Sequence, residues 1–215
     1  VKGGMAYLSP HIGDLETPLA RDFLHETIER MQHITQCTPK IVACDMHPRY
    51  YSTRVATTLH ARELIRVQHH HAHIVICMAE NRITAKVIGL AKDGTCYGKD
   101  GRIWGGEFLI ADEAGFERSG HLRYLPLLGG EAAIKQPWRF GISLLREAFG
   151  DTWPDVASRL GIVPEGYSCE HLNKIMDAGM NSPLTSSLGR VFDGVASIID
   201  LKRFVSFEGQ AAMEL

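Results

Sequence analysis

Four of the chain's eleven histidines fall within five residues, in the run Val67-Gln-His69-His70-His71-Ala72-His73-Ile74. On a helix, His69 and His73 share one face and stand one turn, about 5.4 Å, apart. Two imidazoles so placed can hold one Zn²⁺ or Fe²⁺ at about 2.0–2.1 Å. Further ligands must then come from elsewhere, most simply a carboxylate at a strand end. The same spacing also suits a solvated, His-rich helix start that takes metal only adventitiously. Position 70 is His, so the Glu of the zincin pattern is missing.

Three other stretches carry groups that can do chemistry. The first is Asp93-Gly94-Thr95-Cys96-Tyr97-Gly98, followed by Trp104-Gly105-Gly106-Glu107. Gly-rich turns between strands let backbone N–H groups approach a phosphate, and Asp93 at a strand end can ligate a metal. Two β-hairpin turns over packed aromatics would look the same, and no Walker-type phosphate loop is present. The second is Asp45-Met-His47-Pro48-Arg49-Tyr50-Tyr51-Ser52-Thr53-Arg54. Asp45, His47 and Arg54 are candidates for holding substrate, since a guanidinium pairs with phosphate or carboxylate. The alternative is a plain helix entry capped by Ser52. The third is Thr185-Ser-Ser-Leu-Gly189-Arg190-Val-Phe-Asp193-Gly194, where a hydroxyl-capped helix start offers an anion site. Neither Cys77 nor Cys96 has a base near it in sequence, which favours inert thiols over nucleophiles.

Elements must position these groups. Residues 5–12 read as a short strand ending at Pro10, and Thr17-Pro18 as an N-cap and first helical position. Apolar residues then recur at helical spacing from Leu19 to Ile34. Lys40–Asp45 reads as a buried strand with functional residues at its carboxyl end. Residues 52–64 are expected to be helical, Val67 strand-like, and Ala72 to Glu80 a second helix. From residue 87 the pattern becomes an antiparallel meander, with strands at 87–91, 108–111 and 116–122 and turns at 93–98 and 99–101. From Glu131 onward it is mainly helical, the last clear helix running from Ser187 to Leu201. The expected organisation is a first α/β lobe over 1–130 and a helical segment over 131–215 that leads into a second lobe. The run 207–215 starts an amphipathic helix and stops, as a truncated second lobe would.

Composition bounds the function. The 23 basic and 25 acidic side chains give a net charge of −2, which argues against general nucleic-acid binding. An apolar fraction of 45% with 22% charged residues suits an ordinary folded protein. No apolar run reaches the roughly 18 residues of a membrane span, and no signal peptide is seen, so the expected home is the cytoplasm. Five scattered cysteines with no C-x-x-C pair read as reduced thiols.

Taken in order, the motifs V-Q-H-H-H-A-H, D-x-H-P-x-Y-x-S-T-R, D-G-T-x-Y-G, I-W-G-G-E-F, F-E-R-x-G-H-L-R-x-L-P-L, T-S-S-x-G-R-x-F-D and F-E-G-Q-A-A-M-E-L resemble the C-terminal carbamoyltransferase domain of the HypF family of NiFe-hydrogenase maturation proteins. That domain is similar to the TsaD family of tRNA threonylcarbamoyl transferases and has the actin-like ATPase (ASKHA) fold, an α/β architecture. The resemblance spans essentially all 215 residues. It implies that an upstream adenylate-forming domain, outside this chain, makes carbamoyl-adenylate from carbamoyl phosphate and ATP. The domain here then moves the carbamoyl group to the C-terminal cysteine of HypE, toward the cyanide ligands of the hydrogenase iron.

By the family's motif, His69 and His73 match metal-binding histidines for Zn or Fe, and Asp93 is a further carboxylate ligand. Gly105, Gly106, Gly189 and Asp193 fall in stretches that look nucleotide-facing. No catalytic nucleophile is implied in this chain, because the acceptor supplies the thiol. Cys96 stands where the family's D-G-T-G-Y-G run has Gly, so a positive φ there would cost about 1–2 kcal/mol. The late Asp-Gly-Gly segment of the second lobe is absent. The chain alone is therefore expected to be inactive, and to self-associate through the apolar face of the Ser187–Leu201 helix. Two other readings stay open: an inactive remnant that only binds metal, and an O-carbamoyltransferase of natural-product synthesis.

Overall fold

The computed structural model describes residues 1–215, which divide into two compact units, Val1–Gln68 and His69–Leu215. The first unit holds helix α1 (Pro18–Thr35), strand β1 (Ile41–Asp45), helix α2 (Tyr51–Thr58) and strand β2 (Glu63–Val67). Thr17 caps α1 by accepting from the Ala20 N–H at 3.2 Å, with Pro18 at the first helical position. β1 and β2 pair in parallel from Ile41↔Glu63 to Asp45↔Val67, with α2 as the crossover. This βαβ step puts Asp45 at the carboxyl end of β1.

The second unit begins with helix α3 (His69–Glu80) and the meander β3 (Val87–Tyr97), β4 (Ile103–Ala111) and β5 (Phe116–His121). Short strands β6 (Leu125–Pro126) and β7 (Leu184–Thr185) complete a sheet ordered β3-β4-β7-β6, with β5 beside β4. Helices α4 (Ala132–Lys135), α5 (Trp138–Phe149), α6 (Trp153–Leu160), α7 (Cys169–Asp177), α8 (Leu188–Ile198) and α9 (Gln210–Glu214) supply the rest. Two cores result. His70, Ile74 and Met78, spaced four apart on α3, are buried, and the two apolar ones pack on Ala91, Leu109 and Ala111 of the meander. Each such fully buried apolar side chain contributes about 1.5–3 kcal/mol. A larger helical core joins Trp138, Ile142, Leu145, Trp153, Leu172 and Met176.

Several expectations are corrected. Residues 5–12 form no strand; the only bridge nearby is Lys2 with Met5, and without a ladder partner the extended run stays irregular. The helix expected over 52–64 stops at Thr58, where Leu59 turns extended, and β2 follows at once. Its N-cap position is Tyr50, not Ser52, and makes no side-chain cap bond. Residues 93–97 are not a turn but the far half of β3, with a register irregularity between Lys92 and Cys96. Cys96 is not among the positive-φ residues, so the expected backbone strain is absent. The chain divides into compact units after Gln68, and β7 from the helical half pairs with β4 and β6 inside one sheet. On the expected apolar face of α8, Phe192 and Val195, with Ile199 at its C-cap, are exposed, while Val191 and Ile198 pack against the cores.

Candidate metal centre and its supports

Helix α3 sorts its four histidines by face. His70 lies on the buried stripe with Ile74 and Met78 and is fully buried. Burial pushes its pKa down, only partly offset by Asp93 and Glu107, so it is held neutral. The His71 ring nitrogen Nε2 sits 2.8 Å from the Asp112 carbonyl oxygen, and the ring packs against Phe116. These two residues anchor the helix to the meander. His69 and His73 are left to converge elsewhere.

They converge on Asp93. The two Nε2 atoms stand 3.0 Å apart, and Asp93 Oδ2 lies 3.3 Å from His69 Nε2 and 3.8 Å from His73 Nε2. Two nitrogens and one carboxylate oxygen thus close around one small volume, the donor set that Zn²⁺ and Fe²⁺ accept. Asp93 is half-buried, which disfavours its charge. Hydrogen bonds from the Cys96 thiol (3.1 Å) and the Gly94 N–H (2.7 Å), with His69 and His70 nearby, outweigh that burial and hold its carboxyl below the usual range. It is a carboxylate kept ionised for a cation. A cleft of ≈ 570 Å³ opens beside it, lined by His73, Cys77, Ile88, Leu90 and Asp93 among others.

The backbone beneath Asp93 is clamped by α8. Ser187, its N-cap, accepts from the Arg190 N–H at 3.1 Å and donates its hydroxyl to the Asp93 carbonyl at 3.1 Å. Gly105 is needed for this closeness: a Cβ there would lie 2.6 Å from the Asp93 carbonyl oxygen and 2.9 Å from Ser187 Cα. At Gly106 it would lie 2.5 Å from the Ser186 carbonyl, and at Gly189 3.2 Å from that of Asp93. The missing side chains of Gly105, Gly106 and Gly189 are thus accounted for by protein backbone packed where Cβ would be.

Glu107, quoted with the glycines but given no role by its motif, ties this layer together. Its buried carboxylate accepts from the Gly105 and Gly106 N–H groups at 3.2 and 3.4 Å, from Ser186 Oγ, and from Arg118 Nε at 2.6 Å. Arg118 in turn lies over the Trp104 ring at 4.0 Å. The sequence signal was a Glu between two glycines and a Phe in a strand whose other residues are apolar.

Asp193 behaves differently from what a ligand-facing residue requires. It is 2% exposed, with Oδ2 3.1 Å from Arg190 Nη1. Burial lifts its carboxyl to about 6, against the pull of Arg190, and Glu208 adds to the rise. In this conformation it secures α8 from within. Asp45, His47 and Arg54 all belong to the first unit. Asp45 Oδ1 accepts from the His47 N–H at 2.7 Å, His47 stacks on Tyr50, and Arg54 lies 5.7 Å from the Tyr51 ring centre. Asp45 ends β1, His47 follows it and Arg54 lies on α2, and Asp45 spends one oxygen on the His47 N–H.

Comparison with known proteins divides the chain after α3, between residues 80 and 89. Residues 1–80 match the family described as the HypF Kae1-like domain. Residues 89–215 match the carbamoyltransferase Kae1-like domain, second subdomain. Carbamoyltransferase HypF2 of Cupriavidus necator is 39% identical over 217 residues, covering 100% of this chain and 26% of that protein. A carbamoyltransferase HypF homolog of the same organism is 37% identical, with 55% of its length covered. A crystal structure of full-length HypF in the phosphate- and nucleotide-bound form is 42% identical with a TM-score of 0.86, covering 95% of this chain and 26% of that one. The crystal structure of T. kodakarensis HypF gives 32% and 0.82, covering 96% of this chain and 28% of that one. The chain spans about a quarter of the length of most of these relatives.

Proposed function

The chain belongs to the HypF carbamoyltransferase family as a Kae1-like domain, and from that premise we propose that it carries the carbamoyl-transfer step. In this reading the donor is carbamoyl-adenylate and the acceptor the C-terminal cysteine thiol of HypE, in hydrogenase maturation. The carbon–sulfur bond forms at the carbamoyl carbon, the bond to the adenylate phosphate oxygen breaks, and AMP leaves with the electron pair while the thiol proton passes to solvent. The observation that carries the reading is the convergence of His69 Nε2, His73 Nε2 and Asp93 Oδ2 beside an open cleft.

These three residues would hold a divalent Zn or Fe ion. When bound, the ion supplies positive charge against the phosphate of the leaving group. The rest falls to the chain itself. Gly94 N–H and the Cys96 thiol orient the Asp93 carboxylate, and the Ser187 hydroxyl fixes its backbone. His71 holds the helix that aims His69 and His73. The anion face of α8 and the glycine layer are the proposed nucleotide side, with Gly105, Gly106 and Gly189 keeping the backbone close. Asp45, His47 and Arg54 remain proposed substrate contacts. Carbamoyl-adenylate itself must come from the adenylate-forming part of the family, so ATP and carbamoyl phosphate alone are not expected to yield product with this chain.

The test supplies carbamoyl-adenylate and HypE directly and follows thiocarbamate formation together with bound metal. His69→Ala and His73→Ala are each expected to remove one ion equivalent and to slow transfer at least about 100-fold. Metal and rate both unchanged in either variant would sink the reading.

A further inference from the structure

Strand periodicity should separate Asp93 from Cys96. Residues three apart in a regular strand point to opposite faces of the sheet. Here the register of β3 against β4 slips between Lys92 and Cys96, and the slip brings both side chains to one side. The Cys96 thiol, 8% exposed, reaches Asp93 Oδ2 at 3.1 Å. His70 comes from the buried stripe of α3 to the same place, fully buried. The donor atoms of His70, Asp93 and Cys96 all lie within 4.8 Å of one another. Cys96 is outside the His69–His73–Asp93 group, so the two sets share Asp93 and nothing else.

We propose that His70, Asp93 and Cys96 form a second cation position, buried behind the His69–His73 pair and selective for Zn²⁺. A nitrogen, an oxygen and a sulfur donor are the mixed set Zn²⁺ takes, and a set that Mg²⁺ and Ca²⁺ avoid. Donors about 2.0 to 2.3 Å from a common ion stand roughly 3.3 to 3.8 Å apart, so side-chain shifts of about an ångström close the site. On binding, the Cys96 sulfur gives its proton to solvent and bonds the ion, which replaces that proton beside Asp93. The buried position makes the site slow to exchange, and the shared carboxylate couples its filling to the outer ion.

The inference shares Asp93 with the proposed function, and its test keeps the two apart. The full 215-residue chain is titrated with Zn²⁺ and with Co²⁺, beside Cys96→Ser and the double variant His69→Ala/His73→Ala. Wild type is expected to bind two ions, and its Co²⁺ form to show a near-ultraviolet thiolate-to-metal charge-transfer band. Cys96→Ser, whose hydroxyl can still donate to Asp93, should lose that band and bind the second ion at least about tenfold more weakly. The double variant should lose the outer ion and keep the band. That result supports the inner position even if transfer activity proves not to depend on the histidine pair. A single ion with no thiolate band overturns the inference and leaves Cys96 as a hydrogen-bonding thiol. A single ion whose band vanishes in both variants also overturns it, since all four donors would then serve one centre.

Discussion

Asp93 and Asp193 sit on the two sides of one backbone junction, yet their surroundings drive them in opposite directions. Asp93 ends in a cleft, receives an N–H and a thiol proton, and faces imidazoles, so its carboxyl stays below the usual range. Asp193 is sealed inside α8 with one guanidinium, itself shared with Glu208, and its carboxyl rises to about 6. Each has nitrogen groups beside it, imidazoles at Asp93 and a guanidinium at Asp193. The difference lies in how many donors meet the charge before burial is counted. A carboxylate meant for a cation is ringed by short hydrogen bonds, whereas one meant to secure a helix can stay partly protonated.

The contrast rests on the layer between them, and the largest effect should come from breaking that layer. Glu107→Ala removes the acceptor for Gly105, Gly106, Ser186 and Arg118 at once, leaving the mostly buried Arg118 without its buried partner. We expect a loss of about 3–5 kcal/mol in urea unfolding, with Glu107→Gln losing less because its amide oxygen still accepts. A change below about 1 kcal/mol would mean that the layer does not depend on Glu107.

The next effect separates the two aspartates by sign. Asp193 has its folded value raised to about 6 from 3.8, so between those values the folded chain holds more protons than the unfolded one. Stability from this group is therefore present at low pH and lost as pH rises from about 4 to 6, on the order of 3 kcal/mol. Asp93 has the reverse sign: its contribution is present above the ordinary carboxylate value and lost only as pH falls below it. Asp193→Asn should flatten the fall between pH 4 and 6 in denaturant unfolding. Parallel wild-type and variant curves over that window would show that Arg190 keeps Asp193 ionised.

Much of this arrangement could be read from the residues. The spacing of His69 and His73 on one face, the Thr17-Pro18 start, the meander and the Ser187 helix start are all local patterns, and local patterns survive into the fold. The buried role of His70 is legible too, in its spacing of four with Ile74 and Met78. Two other features had no local signal. Cys96 meets Asp93 only because the β3 register slips, and a slip is decided by pairing with β4. Glu107 meets Arg118 across a hairpin whose own register shifts between Phe108 and Leu109. Pairing across strands is a long-range choice, and the alternation of residue types leaves it open by one position.

The smallest effect tests the junction itself. Ser187 does two things with one hydroxyl: it caps α8 by accepting from Arg190 N–H, and it donates to the Asp93 carbonyl. Ser187→Ala removes both and should destabilise the chain by about 1–2 kcal/mol. Ser187→Asn or Ser187→Asp can restore the cap, and Asp has no proton to give the carbonyl at neutral pH. If the cap alone matters, Asp recovers stability and ion binding together. If the Ser187–Asp93 bond positions the carboxylate, Asp recovers stability while ion affinity at His69, His73 and Asp93 stays lower than in wild type. Isothermal titration with Zn²⁺ beside urea unfolding separates the two. Equal affinity in the Ser187→Asp variant and wild type would reduce α8 to a neighbour of the site, with the hydrogen bonds of Asp93 on β3 alone sufficient to hold it.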